Sequence, residues 1–136
     1  MNHFRFSQRS ENNLKGLNPD LEKMIRRALE ISEADFAVIE GLRSREQQAE
    51  NVKKGVSKTM DSRHLTGNAV DILPSAMKAG MNWNQNAALF TPVLRAIKKA
   101  GDELGIKLRF GINWKEDPDL PITSSFIDRP HVEIQK

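Results

Sequence analysis

The sequence predicts an α+β domain in which helices flank a small antiparallel sheet. Two observations carry that reading. Stretches around residues 18–29 and 83–104 place apolar residues at helical spacing, and short apolar runs bounded by turn residues recur between and after them. At 136 residues the chain has the length of one domain on one core, spanning residues 1–136.

Asn18-Pro19 has the form of a helix N-cap followed by proline at the first helical position, where a missing N–H is harmless. Leu21, Met24, Ile25, Ala28 and Leu29 then make one apolar face. A strand is expected from about Phe36 to Leu42. Ser44-Arg45-Glu46-Gln47 matches a capping box, so a helix opens there and stops at Gly55. Ala69 to Leu73 is an apolar run with Asp71 inside it. A second long helix is expected from about Trp83 to Leu104, with Leu89, Val93, Leu94, Ile97, Ala100 and Leu104 on one side. Pro92 marks a kink or a second start within it, and Gly105 ends it. Lys107 to Gly111 reads as a short strand. Glu116 to Pro121 reads as a solvated acidic loop without the spacing of an EF-hand. Pro130 to Gln135 is the final strand, with proline first, where its missing donor matters least.

Composition excludes several classes of function. Hydrophobic residues at 38% and charged residues at 29% are an ordinary balance for a water-exposed domain. No apolar stretch approaches the roughly 20 residues that span a bilayer, so membrane insertion is not expected. Residues 1–8 lack the hydrophobic run of a secretory signal, which predicts a chain made in the cytoplasm. With no cysteine, disulfides, thiolate metal sites and thiol nucleophiles are excluded. The net charge of +3 suits an acidic partner surface, but the basic residues are interspersed with acidic ones. Aromatic content of 6% without tyrosine gives little to stack bases on, and nucleic acid is not an expected partner.

Two segments carry the chemistry: Ser62-Arg63-His64-Leu65-Thr66-Gly67-Asn68-Ala69-Val70-Asp71 and Asp128-Arg129-Pro130-His131-Val132-Glu133. Two of the three histidines fall in them, each close to a carboxylate. The Gly67-centred turn is expected to set His64 and Asp71 on neighbouring extended segments that aim imidazole and carboxylate at one point. Asp71 sits in an apolar run, where an uncompensated carboxylate is costly to bury, so it calls for a cation. His64, Asp71 and His131 together make a two-histidine, one-carboxylate set suited to zinc. Three protein ligands leave a position for water, whose pKa zinc lowers from about 15.7 toward about 7. Asp128, three residues before His131, is the candidate to move protons. Glu133 shares a strand face with His131, either orienting it or merely exposed.

The pattern Ser62-x-His64-x-x-Gly67-x-Ala69-x-Asp71, followed by Asp128-x-x-His131, resembles the signature of the zinc D-Ala-D-Ala metallopeptidases. That group shares its core fold with the amino-terminal signalling domain of hedgehog proteins. Within it the chain is most similar to the bacteriophage endolysins that are L-alanyl-D-glutamate endopeptidases. Phe4-Arg5-Phe6-Ser7-x-x-Ser10, Asp35-Phe36, Gly41-Leu42-Arg43, residues 105–111, Trp114 and His131-Val132-Glu133 extend the likeness over nearly the whole chain.

The resemblance implies that His64, Asp71 and His131 hold Zn2+, that Asp128 is the general base, and that Arg43 sits near the substrate with Gln47 or Gln48 after it. It implies Trp114 at the cleft. The substrate it implies is the peptidoglycan stem peptide, cut between L-Ala and D-Glu by a monomeric enzyme that reaches the wall after release from the host. Arg129-Pro130 departs from the small residues that relatives often carry there, and stiffens the approach to His131.

Other readings divide on specific features. A D,D-carboxypeptidase would use the same metal set. A non-haem iron triad usually places His and Asp two apart, against seven here. A silent wall-binding module on the same fold would not need Asp128.

Overall fold

The computed structural model describes residues 2–55, 63–125 and 127–135; Ser62, first residue of the histidine motif, lies outside them. Among the described residues, four helices, α1 (Gln8–Leu14), α2 (Pro19–Ile31), α3 (Arg45–Lys53) and α4 (Phe90–Leu104), accompany four strands, β1 (Phe36–Glu40), β2 (Ala69–Pro74), β3 (Leu108–Phe110) and β4 (His131–Ile134). The strands form one antiparallel sheet in the order β1-β2-β4-β3. The α+β class expected from the sequence is the one observed.

Local chemistry explains most element ends. Asn18 caps α2 by accepting from Asp20 N–H, with Pro19 at the first position. Ser44 caps α3 by accepting from Gln47 N–H. Gly105 closes α4 in the left-handed conformation at φ 70°.

Two expectations need correction, and one helix has no counterpart in the sequence pattern. α1 was not foreseen, because Gln8–Leu14 buries just Ser10 and Leu14 and has no apolar period to read. The helix expected from Trp83 begins at Phe90, behind a 3-10 turn at Ala87–Leu89, since Pro92 fits a helix only in its first turn. β1 ends at Glu40 rather than Leu42, and Leu42 is exposed.

Strand alternation splits the sheet into two faces. Phe36, Val38, Val70, Ile72, Leu108, Phe110 and Val132 are buried in one hydrophobic cluster with Leu21, Met24, Ile25 and Ala28 of α2 and Val93, Leu94, Ile97 and Ala100 of α4. Asp71, His131 and Glu133 alternate with those residues and so stand on the opposite face. One irregularity matters. The β1–β2 register shifts between Val38 and Glu40, so that Glu40 rather than Ile39 stands opposite Asp71. A bulge of this kind re-aims a side chain, and here it points Glu40 toward the polar face.

Candidate metal centre

The register of β2 and β4 pairs Asp71 directly with His131. His131 Nδ1 lies 3.4 Å from Asp71 Oδ1. His64 comes from elsewhere: it sits on a 3-10 turn, Arg63–Thr66, and not on the extended segment expected. The tight turn closes through Gly67 at φ 75°, where a side chain would also run into Gly16 O at 2.6 Å. From there His64 Nε2 reaches to 3.2 Å from Asp71 Oδ1. One ligand atom from each of His64, Asp71 and His131 falls within 4.8 Å of the others, a cluster able to hold a metal ion.

The remaining ring nitrogens orient the donors. His64 Nδ1–H donates to Gly41 O at 2.9 Å, and His131 Nε2–H donates to Glu133 Oε1 at 2.8 Å. In the neutral rings those bonds turn the lone pairs of His64 Nε2 and His131 Nδ1 toward Asp71. Asp71 Oδ1 is buried and accepts no hydrogen bond of good geometry among the described residues. Three electron-rich atoms converging in a buried site fit a cation and repel one another without it.

A proton can fill part of that role. Burial opposes charge on Asp71, yet His131 and His64 outweigh it and hold its carboxyl well below the usual carboxylate range. Burial also opposes charge on His131, but Asp71 and Glu133 raise its pKa to about 9. Asp128 behaves oppositely: burial, then the neighbouring charge of Asp71, push its pKa up to about 6. Its Oδ2 stands 3.9 Å from His131 Nδ1, beside the cluster but outside the three-residue set. Two carboxylates in one site are thus driven apart in proton affinity, a pattern suited to acid-base work.

Arg43 is brought to the same place, on its inner side. Its guanidinium is paired with Glu40 Oε1, donates to Gln48 Oε1 at 2.5 Å, and lies 3.8 Å from Asp71 Oδ2, with 9% of its side chain exposed. Gln48 is fully buried, whereas Gln47 is exposed and bonded to Asn51. Trp114, half-buried at φ 60°, sets its ring 5.4 Å from that of His131 and carries the Arg109 guanidinium at 5.1 Å on its own ring. Sequence reasoning missed the Gly41 carbonyl, the Glu40 bulge and the part of Gly111, whose N–H donates to His131 O while its own carbonyl accepts from Asp128 N–H.

Comparison with known proteins agrees with this architecture. The family described as phage L-alanyl-D-glutamate peptidase matches residues 2–135. The chain belongs to that family. It is 40% identical over 136 residues to the L-alanyl-D-glutamate peptidase of Escherichia phage T5, covering 96% of this chain and 98% of the relative. A second relative, the L-alanyl-D-glutamate peptidase of Listeria phage A118, is 30% identical over 95% of this chain, which spans 42% of that longer protein. Among solved structures, the Serratia marcescens L-Ala D-Glu endopeptidase ChiX superposes with a TM-score of 0.78 at 36% identity, over 98% of this chain and 92% of that one. The vancomycin resistance D,D-dipeptidase VanXYg, at 15% identity and a TM-score of 0.52, shares the fold over 87% of this chain and half of its own.

Proposed function

We propose that this chain is a zinc peptidase that hydrolyses the bond between L-Ala and D-Glu in the peptidoglycan stem peptide, acting on the wall as an endolysin. The observation that carries the reading is the convergence of His64, Asp71 and His131 on one buried point in a chain of this family. The choice of bond is supported by the names of relatives that match end to end. Zinc is favoured over harder ions because two imidazoles and one carboxylate suit a borderline metal.

His64 Nε2, Asp71 Oδ1 and His131 Nδ1 would hold the ion. Bound there, zinc would supply a Lewis acid and a water acidified toward neutral pH. Asp128 receives the proton of the attacking water and returns it to the departing amine nitrogen of D-Glu, leaving L-Ala as a free carboxylate. Burial raises the proton affinity of Asp128, which favours its taking up the proton. Arg43 offsets the charges of Glu40 and Asp71, which keeps the site's field favourable to the oxyanion that develops on the scissile carbonyl. Trp114 forms a wall beside His131.

The test is digestion of purified peptidoglycan followed by mass spectrometry. New amino-terminal D-Glu on the peptide fragments, with L-Ala left on the muramic lactyl group, is expected. Release of free D-Ala without D-glutamyl amines would establish a carboxypeptidase instead.

A further inference from the structure

Glu133 is a carboxylate with 5% exposure, on the same strand face as His131 and two residues after it. Burying a charge is unfavourable unless it is compensated, so its partners report its purpose. The closest is the His131 ring, whose Nε2–H meets Glu133 Oε1 at 2.8 Å. Arg63 Nε stands further off, 3.5 Å from Oε2. Glu133 therefore grips the edge of the imidazole that faces away from Asp71, while Arg63 holds the other carboxylate oxygen. Arg63 directly precedes His64, so the chain Arg63–Glu133–His131 ties the segment of one candidate ligand to the strand of the other.

We propose that Glu133 is a positioning residue for the metal centre: it fixes the orientation and tautomer of His131 so that Nδ1 presents its lone pair to the ion, with Arg63 steadying Glu133. This rests on the metal reading above. Glu133 does not touch the ion, because its bond is on Nε2 and its carboxylate is not part of the three-residue cluster. A carboxylate behind a metal-binding histidine also makes the imidazole a better donor, and removing such a partner typically costs about 10- to 100-fold in metal affinity.

The experiment uses the full chain, stripped of metal and titrated with zinc against a chelator of known affinity. Glu133→Ala is expected to bind zinc about 10- to 100-fold more weakly than the unmodified chain. Glu133→Gln should recover most of the loss, since its amide oxygen accepts the same N–H, and urea unfolding of its metal-free form should show an intact fold. Wild-type zinc affinity in Glu133→Ala would overturn the inference. So would a glutamine variant as weak as the alanine one. The readout needs no substrate, so failure of the stem-peptide assignment would show separately, as normal zinc uptake without D-glutamyl products.

Discussion

Asp71 and His131 are a directly opposed, non-hydrogen-bonded pair of the β2–β4 ladder, flanked by the bond from Ile72 N–H to Pro130 O at 3.0 Å. Side chains in such pairs approach most closely, and here His131 Nδ1 comes to 3.4 Å from Asp71 Oδ1. Sheet register, rather than a loop, thus sets two of the three candidate ligands. A slip of β4 by one residue would turn His131 to the core face and bring Val132 out of the core, which the full burial of Val132 opposes. His64 is pinned to this frame by Gly41 O on its ring and by the Arg43 N–H on its carbonyl at 2.9 Å.

Zinc binding should stabilise the fold measurably. An ion that binds the folded chain alone adds about 2.7 kcal/mol when free zinc is 100 times its dissociation constant. The urea midpoint is expected to rise on adding zinc and to fall with a chelator, with activity lost and restored in step. His64→Ala should abolish the zinc-dependent rise. An unmoved midpoint and chelator-resistant activity would sink the metal assignment.

Asp128 lies beside the cluster without belonging to it, so Asp128→Asn should keep zinc near wild-type content. Loss of a general base predicts a fall in kcat of roughly 10²- to 10⁴-fold. Metal analysis and steady-state kinetics on the same preparation check it. A variant that drops its zinc would make Asp128 a ligand and require its role to be redrawn.

Much of this site is legible in the sequence because the chemistry of a residue does not depend on the fold around it. A carboxylate within the apolar run Ala69 to Leu73 signals a compensating cation whatever the fold, and a histidine on the final strand signals its partner. The rest depends on tertiary geometry. No local pattern marks the bulge that sets Glu40 opposite Asp71, or the Gly41 carbonyl that orients His64. Gly67 suits many turns, so the sequence favours extended flanks there, whereas the 3-10 turn at Arg63–Thr66 is held by the tertiary bonds from Arg43 N–H to His64 O and from Asn18 N–H to Gly67 O, which no local pattern marks. α1 was illegible for a further reason: a helix that buries two residues through tertiary contact leaves no periodicity.

Arg43→Lys should destabilise the chain. A lysine ammonium cannot match the planar fork that meets Glu40, Gln48 and Asp71 together. Loss of one charge-assisted hydrogen bond costs about 1.5–3 kcal/mol. The urea midpoint should fall accordingly in the metal-free chain, and an unchanged midpoint would show that the guanidinium fork contributes nothing to stability.

The metal-free protein should respond to pH through His131. Its folded pKa, about 9, lies above the ordinary value of 6.5. A raised pKa gives stability that is complete below about 6.5 and is lost as pH climbs through about 9. Zinc reverses the trend, because the ion displaces the Nδ1 proton and binds better as that proton leaves. Urea midpoints across this window should fall without zinc, while zinc affinity should rise. Flat profiles in both would mean that His131 does not carry the proton.

Gly111→Ala should damage the site beyond its effect on stability. A Cβ at Gly111 would collide with the Asp128 carbonyl oxygen and come within 2.7 Å of His131 Cβ, and neither is the free end of a flexible chain. The same residue bonds both: its N–H to His131 O at 2.7 Å, its carbonyl to Asp128 N–H at 2.9 Å. Relief must therefore move the proposed base and a proposed ligand apart from their shared clamp. Overpacking of this kind costs about 1–3 kcal/mol. Leu21→Ala, in the fully buried core of α2, is the control, with an expected cost of about 2–5 kcal/mol. Under conditions where both variants remain folded, Leu21→Ala should keep wild-type kcat and zinc affinity, while Gly111→Ala should lose both. If Gly111→Ala instead matches the control in kcat and zinc affinity, the clamp is structural and does not set the catalytic geometry.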